Sequence, residues 1–258
     1  PGVTVTYLVA AYDQAQTPNL NFSGPYALDI VVTRGTVLVV DDRWISKSNP
    51  SAEARAAQSV VTPRDKTSGD IAGWLADMGF VSQVIPAEDV HAGSFIGYDV
   101  VMVTTGSNYG PFGVPDLRRA MELWVEDGGR IIIEGGETAY AVSDQPGYPE
   151  LLGNVVPIKY YAGEDASWNQ VPADLVDHPL VNRPHVLTHP IRVDNMGGGD
   201  WGAADIGLEA DDAMTILKTP FGAGMGGVIV KDDNTGPDAG QIAYISFDLL
   251  KVTVVDDA

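Results

Sequence analysis

Two glutamates lie in a glycine-rich turn that directly follows a short apolar segment. The segment is residues 131–133 (III), and the turn is residues 134–138 (EGGET), with Glu134 and Glu137 as its acidic members. An apolar run without polar alternation is typical of a strand buried on both faces of a parallel sheet. Ligands gather at the carboxyl ends of such strands. The pattern therefore predicts a site at this turn, where the two carboxylates act as a general acid/base pair or bind a metal.

Polar residues follow two further apolar strands in the same way, after residues 36–40 (TVLVV) and after residues 99–104 (DVVMVT). The predicted ligand-binding edge is the set of polar residues at these strand ends: Asp41, Asp42, Thr105, Ser107, Glu134 and Glu137. The alternative is structural, since such carboxylates also cap helix N-termini and accept hydrogen bonds from loop amides. Ser107 lacks the G-x-S-x-G context of a nucleophile, and capping is its alternative role.

Three of the four histidines stand in one loop-rich stretch, at His178, His185 and His189. Their spacing would allow two of them to bind zinc together with a carboxylate, although there is no H-E-x-x-H motif. Turn formation by the His-Pro pairs is the alternative. If the chain is a hydrolase, the prediction is that Glu137 acts with His189 and Asp42 and that these three side chains converge.

An acidic loop near the C-terminus offers several oxygen ligands. Within residues 231–240 (KDDNTGPDAG) the ligands are Asp232, Asp233, Asn234 and Asp238. Oxygen-rich loops of this kind bind calcium, so calcium is the one cofactor that the sequence suggests. The spacing does not match the EF-hand pattern, and an acidic hairpin turn is the alternative.

Aromatic residues are frequent in the loop-rich stretch, at Tyr160, Tyr161, Trp168 and Trp201. Aromatic side chains stack on sugar rings, so a glycan-binding surface is one interpretation. The alternative is that they pack beneath the loops.

The composition argues against several classes of protein. The chain holds 35 acidic and 15 basic residues, and its formal charge of −20 disfavours binding to nucleic acid or to anionic membranes. No apolar run reaches the ~18 residues that a membrane span requires. Cysteine is absent, which removes disulfides, thiolate nucleophiles and cysteine-ligated zinc. An acidic surface fits an extracellular or cell-surface protein, and simple solubility is the alternative; the absence of cysteine does not fix the compartment.

The elements that must position these residues indicate an α/β domain over residues 35–258. The predicted strands are 36–42, 81–85, 99–104 and 131–133, and the predicted helices are 68–78 and one that starts at Pro115. This alternation predicts a doubly wound, mainly parallel, flavodoxin-like sheet. Residues 144–212 are rich in Pro, Gly, His and Asp, and they are predicted to form an irregular insertion over the sheet edge.

The first 34 residues are predicted to be a separate β segment. Residues 3–12 (VTVTYLVAAY) and 26–32 (YALDIVV) are rich in Val, Thr and Tyr, and a turn-prone stretch lies between them. The segment resembles the closing strands of a fibronectin type III-like sandwich. Because a lone hairpin is marginally stable in water, either further strands have been removed or these two pair with something else.

Four segments resemble, in their order, the class I glutamine amidotransferase-like superfamily. They read VLVVDD (37–42), YDVVMVTTGS (98–107), WVEDGGRIIIEGGE (124–137) and IAYISFD (242–248). Within the superfamily, the nearest likeness is to domains embedded in large secreted bacterial proteins. The resemblance covers about residues 35–250 and implies an amidotransferase-like fold.

In that superfamily the strand that matches residues 130–133 leads into a G-x-C-x-G elbow, which presents a cysteine nucleophile. In this chain Glu137 stands at the cysteine position. The family histidine lies in a His-Pro-Glu triplet, whereas the triplets here are HPL (178–180) and HPI (189–191). The resemblance therefore implies the fold without the glutaminase activity, because a carboxylate cannot perform thiolate acyl transfer.

These observations predict a non-catalytic module of a secreted or cell-surface bacterial protein that serves binding or assembly. Its partners would be neighbouring domains or subunits, paired through the terminal strands at residues 3–12 and 251–255. The alternative is a hydrolase that acts on carbohydrate or peptide through Glu137, with a loop histidine or a metal.

Overall fold

The computed structural model describes residues 3–12, 20–30, 34–42, 67–106, 108, 110–164, 169–172, 178, 191–193, 205–218, 225–232 and 240–254. The first six strands are β1 (Val3–Tyr12), β2 (Leu20–Ile30), β3 (Thr36–Asp41), β4 (Val81–Pro86), β5 (Val100–Gly106) and β6 (Arg130–Gly135). The later strands are β7 (Ile158–Glu164), β8 (Asn169–Pro172), β9 (Ile191–Val193), β10 (Asp205–Glu209), β11 (Met214–Lys218), β12 (Met225–Asp232), β13 (Gln241–Ile245) and β14 (Val252–Val254). The α-helices are α1 (Thr67–Asp77), α2 (Pro115–Glu126) and α3 (Thr138–Ser143), and a 3-10 helix spans Leu249–Lys251.

The two N-terminal strands form an antiparallel ribbon. Val3 pairs with Ile30 at one end and Tyr12 with Leu20 at the other. Among the described strands, β1 and β2 pair only with each other and do not join the large sheet. The strands lie where the Val, Thr and Tyr content predicts them, although β2 begins at Leu20 rather than at residue 26.

Five strands form the parallel half of the large sheet, in the order β13-β6-β5-β3-β4. Alternate residues of these strands face opposite sides, because the side-chain period of a strand is two. Val37 and Val39 of β3 pack in one cluster with Ile71 of α1. Leu38 and Val40 belong to the cluster on the other face, which includes Met121 of α2. Burial on both faces is why these strands are apolar throughout. The predicted doubly wound α/β fold is confirmed.

The other half of the large sheet is antiparallel. It continues beyond β13 in the order β12-β11-β8-β9-β14, and β10 pairs with β12 and β7. Four of its strands, β7 to β10, lie within residues 144–212, so the prediction that this stretch is irregular is wrong for those strands. Each of them is short, and the apolar alternation over three to seven residues is too brief to be distinguished from loop sequence.

The C-terminal strand β14 has a partner within the chain. Val252 pairs with Val193 and Val254 with Ile191 in β9, and β14 is the last strand in the order of the sheet. Strand β4 is the last strand at the opposite end. No helix within the described ranges is long and apolar enough to cross a membrane.

Candidate site at the carboxyl edge of the sheet

The turn between β6 and α3 is closely packed. Gly135 has a φ of 150°, and a Cβ atom added there would lie 1.7 Å from Thr105 Oγ1. Only glycine fits, because both the backbone conformation and the neighbouring side chain leave no room for a methyl group. The Gly136 amide donates a hydrogen bond to the Gly106 carbonyl (2.8 Å), which fixes the turn against the end of β5.

Glu137 is the residue that directly precedes α3. Its φ and ψ are −106° and 11°, and the residue is only 2% exposed. The Glu137 carbonyl accepts the first hydrogen bond of the helix from the Ala141 amide (3.0 Å). The side chain predicted to carry chemistry is therefore enclosed by the protein.

Glu134, at the end of β6, is a fully buried carboxyl group. Its Oε2 accepts a hydrogen bond from Thr104 Oγ1 (2.6 Å), and its Oε1 accepts one from the Leu249 amide (2.7 Å). Burial raises the pKa of Glu134 to about 7, and the negative charge of Asp248 adds to the rise. Glu134 therefore links Leu249, near the C-terminus, to β6.

Asp42, at the end of β3, is also buried. Its Oδ2 accepts a hydrogen bond from the Phe112 amide (2.6 Å), and its carbonyl accepts one from Asn108 Nδ2 (2.6 Å). Burial raises the pKa of Asp42 to about 7; the Phe112 amide acts in the opposite direction. The charges of Asp41 and Glu88 add to the rise. Asp42 thus holds the loop that follows β5.

Asp41 and Thr105, the other described members of the predicted edge, have structural contacts. Asp41 Oδ2 accepts a hydrogen bond from Ser68 Oγ of α1 (2.9 Å). The hydroxyl groups of Thr105 and Thr138 lie 3.3 Å apart, which joins the end of β5 to the first residue of α3. The strand-end residues that the structure describes therefore bind the protein's own backbone and side chains, as the structural alternative predicts.

An arginine that the sequence did not single out lies beside Asp42. Arg118 of α2 donates hydrogen bonds to Glu150 Oε1 (2.8 Å) and to the Phe112 carbonyl (2.6 Å), and its guanidinium lies 4.4 Å from the centre of the Tyr148 ring. Its positive charge lowers the pKa of Asp42, against the effect of burial. Phe112 has a φ of 63°, which is strained for a residue other than glycine.

Asp205 and Tyr244 also belong to the buried site and were missed by sequence reasoning. Asp205 Oδ2 accepts a hydrogen bond from the Tyr140 amide in the first turn of α3 (2.9 Å). Burial raises the pKa of Tyr244 well above its ordinary value, and the charges of Asp205 and Glu137 add to the effect. No sequence pattern points to Asp205, because β10 reaches α3 only in the folded chain.

Several predicted site residues lie outside the described residues. They are Ser107, Trp168, His185, His189, Trp201, Asp233, Asn234 and Asp238. Asp232 is the last residue of β12, and His178 is half-buried. Within the described ranges, no group of three or more His, Asp or Glu residues could hold a metal ion. The predicted calcium and zinc sites and the convergence of Glu137, Asp42 and His189 therefore stay predictions.

The two described aromatic residues of the predicted glycan surface differ in exposure. Tyr160 is 49% exposed, whereas Tyr161 is half-buried and contacts the Tyr140 ring edge-to-face, with ring centres 5.3 Å apart. Tyr161 therefore packs against α3, as the alternative to sugar stacking predicts.

Solved structures that align with the chain come from proteins of very different sequence. A ThuA-like protein from Bacteroides uniformis aligns with a TM-score of 0.51 and 13% identity, over 84% of this chain and 82% of that chain. A GMP synthase-like protein from Thermoplasma acidophilum aligns with a TM-score of 0.46 and 12% identity, over 84% of this chain and 86% of that chain. A β-galactosidase from Bifidobacterium adolescentis reaches a TM-score of only 0.24.

The chain is therefore an α/β protein that shares the amidotransferase-like fold of the ThuA-like protein. At 13% identity the likeness to the ThuA-like protein establishes the fold alone. No protein-family model matches the sequence, and no curated protein sequence is significantly similar to it.

Proposed function

We propose that this chain is a non-catalytic module of a secreted or cell-surface bacterial protein and that it serves binding or assembly. The proposal rests mainly on the burial of the elbow turn, defined as residues 134–138. Glu137, the residue at the position of the superfamily's nucleophile, is 2% exposed, and the chain contains no cysteine. A substrate has no access to Glu137 in this packed turn, and a carboxylate does not replace a thiolate in acyl transfer.

The first turn of α3 supports the same proposal. Backbone amides at such a turn can stabilise a developing negative charge on a substrate. Here the Tyr140 amide donates its hydrogen bond to the Asp205 carboxylate instead (2.9 Å). This amide is therefore already occupied by a side chain of the protein itself.

Assembly through strands is supported by the N-terminal ribbon. Among the described strands, β1 and β2 pair only with each other, and a two-stranded ribbon by itself is marginally stable in water. An added strand supplies a row of backbone hydrogen bonds, and this is how many β-sheet proteins bind a partner. We therefore assign the ribbon, rather than the elbow turn, as the binding element.

Light scattering coupled to size-exclusion chromatography, with and without calcium, tests this proposal on the full chain. We expect concentration-dependent oligomers, with filaments visible by negative-stain electron microscopy. The matched variants are Thr6→Pro in β1 and Thr253→Pro in β14, which remove one backbone donor from each terminal strand. Loss of oligomers in Thr6→Pro alone assigns the interface to the ribbon. A monomer at all concentrations in both conditions contradicts the assembly proposal.

A hydrolase is the second candidate, and Asp42 is the observation that favours it. A carboxyl group with a pKa of about 7 can both donate and accept a proton near neutral pH. A panel of glycan and peptide substrates tests this candidate with wild-type protein, Asp42→Asn and Glu137→Gln. Hydrolysis that only Asp42→Asn abolishes would support an acid/base role for Asp42. Absence of turnover on every substrate would remove the candidate.

A further inference from the structure

One buried carboxyl group holds the C-terminal segment, defined as residues 248–254, to the elbow strand. Glu134 of β6 accepts a hydrogen bond from the Leu249 amide (2.7 Å), and Thr104 Oγ1 donates to its other oxygen (2.6 Å). Leu249 begins the 3-10 helix that leads directly into β14. The contact therefore lies at the point where the C-terminal segment leaves the body of the sheet.

A second carboxyl group lies beside the first. Asp248 is 5% exposed, and its Oδ1 accepts a hydrogen bond from the Leu250 amide (2.9 Å), which caps the 3-10 helix. Its negative charge acts on Glu134, which is itself fully buried. The Thr104 hydroxyl and the amides of Leu249 and Gly106 have the opposite effect, because they stabilise the ionised form of Glu134.

Burial and the neighbouring charge of Asp248 both disfavour the ionised form of Glu134. Separation of the C-terminal segment from β6 relieves both effects, since it hydrates Glu134 and moves Asp248 away. We propose that protonation of Glu134 controls the docking of the C-terminal segment, so that β14 is held firmly at acidic pH and is released more readily as the pH rises to neutral.

The direction and size of the effect follow from proton linkage. Glu134 has a pKa of about 7 in the docked state, against an ordinary value of 4.5. Between these two values the docked state binds more protons than the released state, so docking weakens as the pH rises. The docking equilibrium constant falls by at most about tenfold per pH unit in this window, the limit reached when release restores the ordinary pKa of Glu134, and the effect levels off above pH ~7.

The consequence for assembly rests on the proposed function. In the docked state one edge of β14 is occupied by β9. Release frees both edges of the strand for pairing with another chain, so β14 would become a second assembly edge, in addition to the N-terminal ribbon, towards neutral pH. Docking itself is a property of the monomer and does not depend on that consequence.

Hydrogen exchange on dilute wild-type protein, shown by light scattering to be monomeric, tests the proposal. Protection of peptides that cover residues 249–254 is compared at pH 5.5 and pH 7.5 after correction for intrinsic exchange rates. We expect a clear loss with an upper limit of about thirtyfold, which is tenfold per unit over the window that ends near pH 7. Peptides from β3 and β5 serve as the internal reference.

Three variants separate Glu134 from other groups that titrate. Glu134→Gln keeps a carbonyl for the Leu249 amide and cannot ionise, so protection should not change with pH. Asp248→Asn removes the neighbouring charge, so the loss of protection should be smaller than in wild type. Asp42→Asn is the matched control, because Asp42 is the other carboxyl group with a pKa of about 7 and holds a different loop; it should leave the loss unchanged.

Protection of residues 249–254 that does not depend on pH in wild type overturns the proposal, as does an unchanged loss in Glu134→Gln. If Glu134→Gln does not fold, Asp248→Asn decides, and an unchanged loss in that variant is the contradicting result. A pH-dependent segment in a protein that never assembles would support this inference while refuting assembly, so the two can fail separately.

Discussion

Two carboxyl groups at the same sheet edge, Glu134 and Asp42, have similar pKa values but different surroundings. Both are buried, both accept a hydrogen bond from a distant backbone amide, and burial raises the pKa of each to about 7. The negative Asp248 lies beside Glu134, whereas Asp42 has acidic neighbours and also the positive Arg118.

The difference shows that a raised pKa does not by itself identify a catalytic group. The hydrogen bonds of Glu134 go to Thr104 and to the Leu249 amide, so it fastens one chain segment to another. Asp42 lies among groups of both signs, next to a strained residue, Phe112, which is an arrangement more typical of a functional site.

The unfolding free energy of the wild-type protein should fall as the pH rises from 5 to 7. The folded pKa values of Asp42 and Glu134 are raised, so the folded state binds more protons than the unfolded state in this window. At about 1.4 kcal/mol per pH unit for each group, the two together account for a loss on the order of 5 kcal/mol. Urea unfolding at pH 5, 6 and 7 measures the loss, and a stability that rises over this range contradicts both pKa shifts.

The substitution Gly135→Ala should destabilise the protein by about 4 kcal/mol, from a clash with Thr105 and an unfavourable backbone conformation. Gly69→Ala in α1 is the matched control. A Cβ atom there meets nothing within 4 Å, so this substitution should stabilise the helix by roughly 0.5–1 kcal/mol. Urea unfolding of the two variants measures both effects. Equal stability of the variants would mean that the elbow turn is not packed as described.

The variants Glu134→Gln and Asp42→Asn should each remove about half of the pH dependence, or roughly 2.5 kcal/mol between pH 5 and pH 7. Each amide keeps an oxygen that accepts the backbone hydrogen bond and cannot ionise. Urea unfolding at both pH values measures the remaining slope. If one variant removes the whole slope, the other carboxyl group has an ordinary pKa in the folded protein.

The substitution Arg118→Met should change the pKa of Asp42 but not that of Glu134. It removes hydrogen bonds to Glu150 and to the Phe112 carbonyl, so we expect a loss of about 1–2 kcal/mol in unfolding free energy. It also removes the positive charge that lowers the pKa of Asp42, so the titration midpoint of Asp42 should move upward while that of Glu134 stays constant. Carbon-detected NMR titration of the carboxyl groups measures both midpoints.

Arg119→Met is the control for this variant, because Arg119 is exposed and pairs with Glu122 on the helix surface. Such pairs contribute little, so a change below ~0.5 kcal/mol is expected. A similar loss in both variants would mean that Arg118 acts only as a part of α2 and not through Asp42.

Much of the parallel half could be predicted from the sequence. The apolar segments at 36–40, 99–104 and 131–133 are buried strands, and the change to helical spacing between them marks α1 and α2. Doubly wound topology then places the ends of these strands at one edge. The sequence therefore predicts Asp42 and Glu134 as edge residues, although it does not indicate their partners.

The antiparallel half could not be predicted to the same extent. Strands β7 to β10 are short and separated by residues rich in Pro, Gly and Asp, so local pattern gives no register and no partner. Asp205 illustrates the consequence. Its contact with the Tyr140 amide joins residues 65 positions apart, and no periodicity in the sequence encodes such a pair.

The fold class, the position of the elbow turn and the acidic residues at the sheet edge can be predicted from the sequence, because apolar periodicity and glycine placement are local properties of the chain. The roles of those acidic residues depend on the folded chain. Glu137 is enclosed, Glu134 holds the Leu249 amide and Asp42 lies beside Arg118, because burial and long-range contacts, rather than residue type, set the pKa and the partners of a carboxyl group.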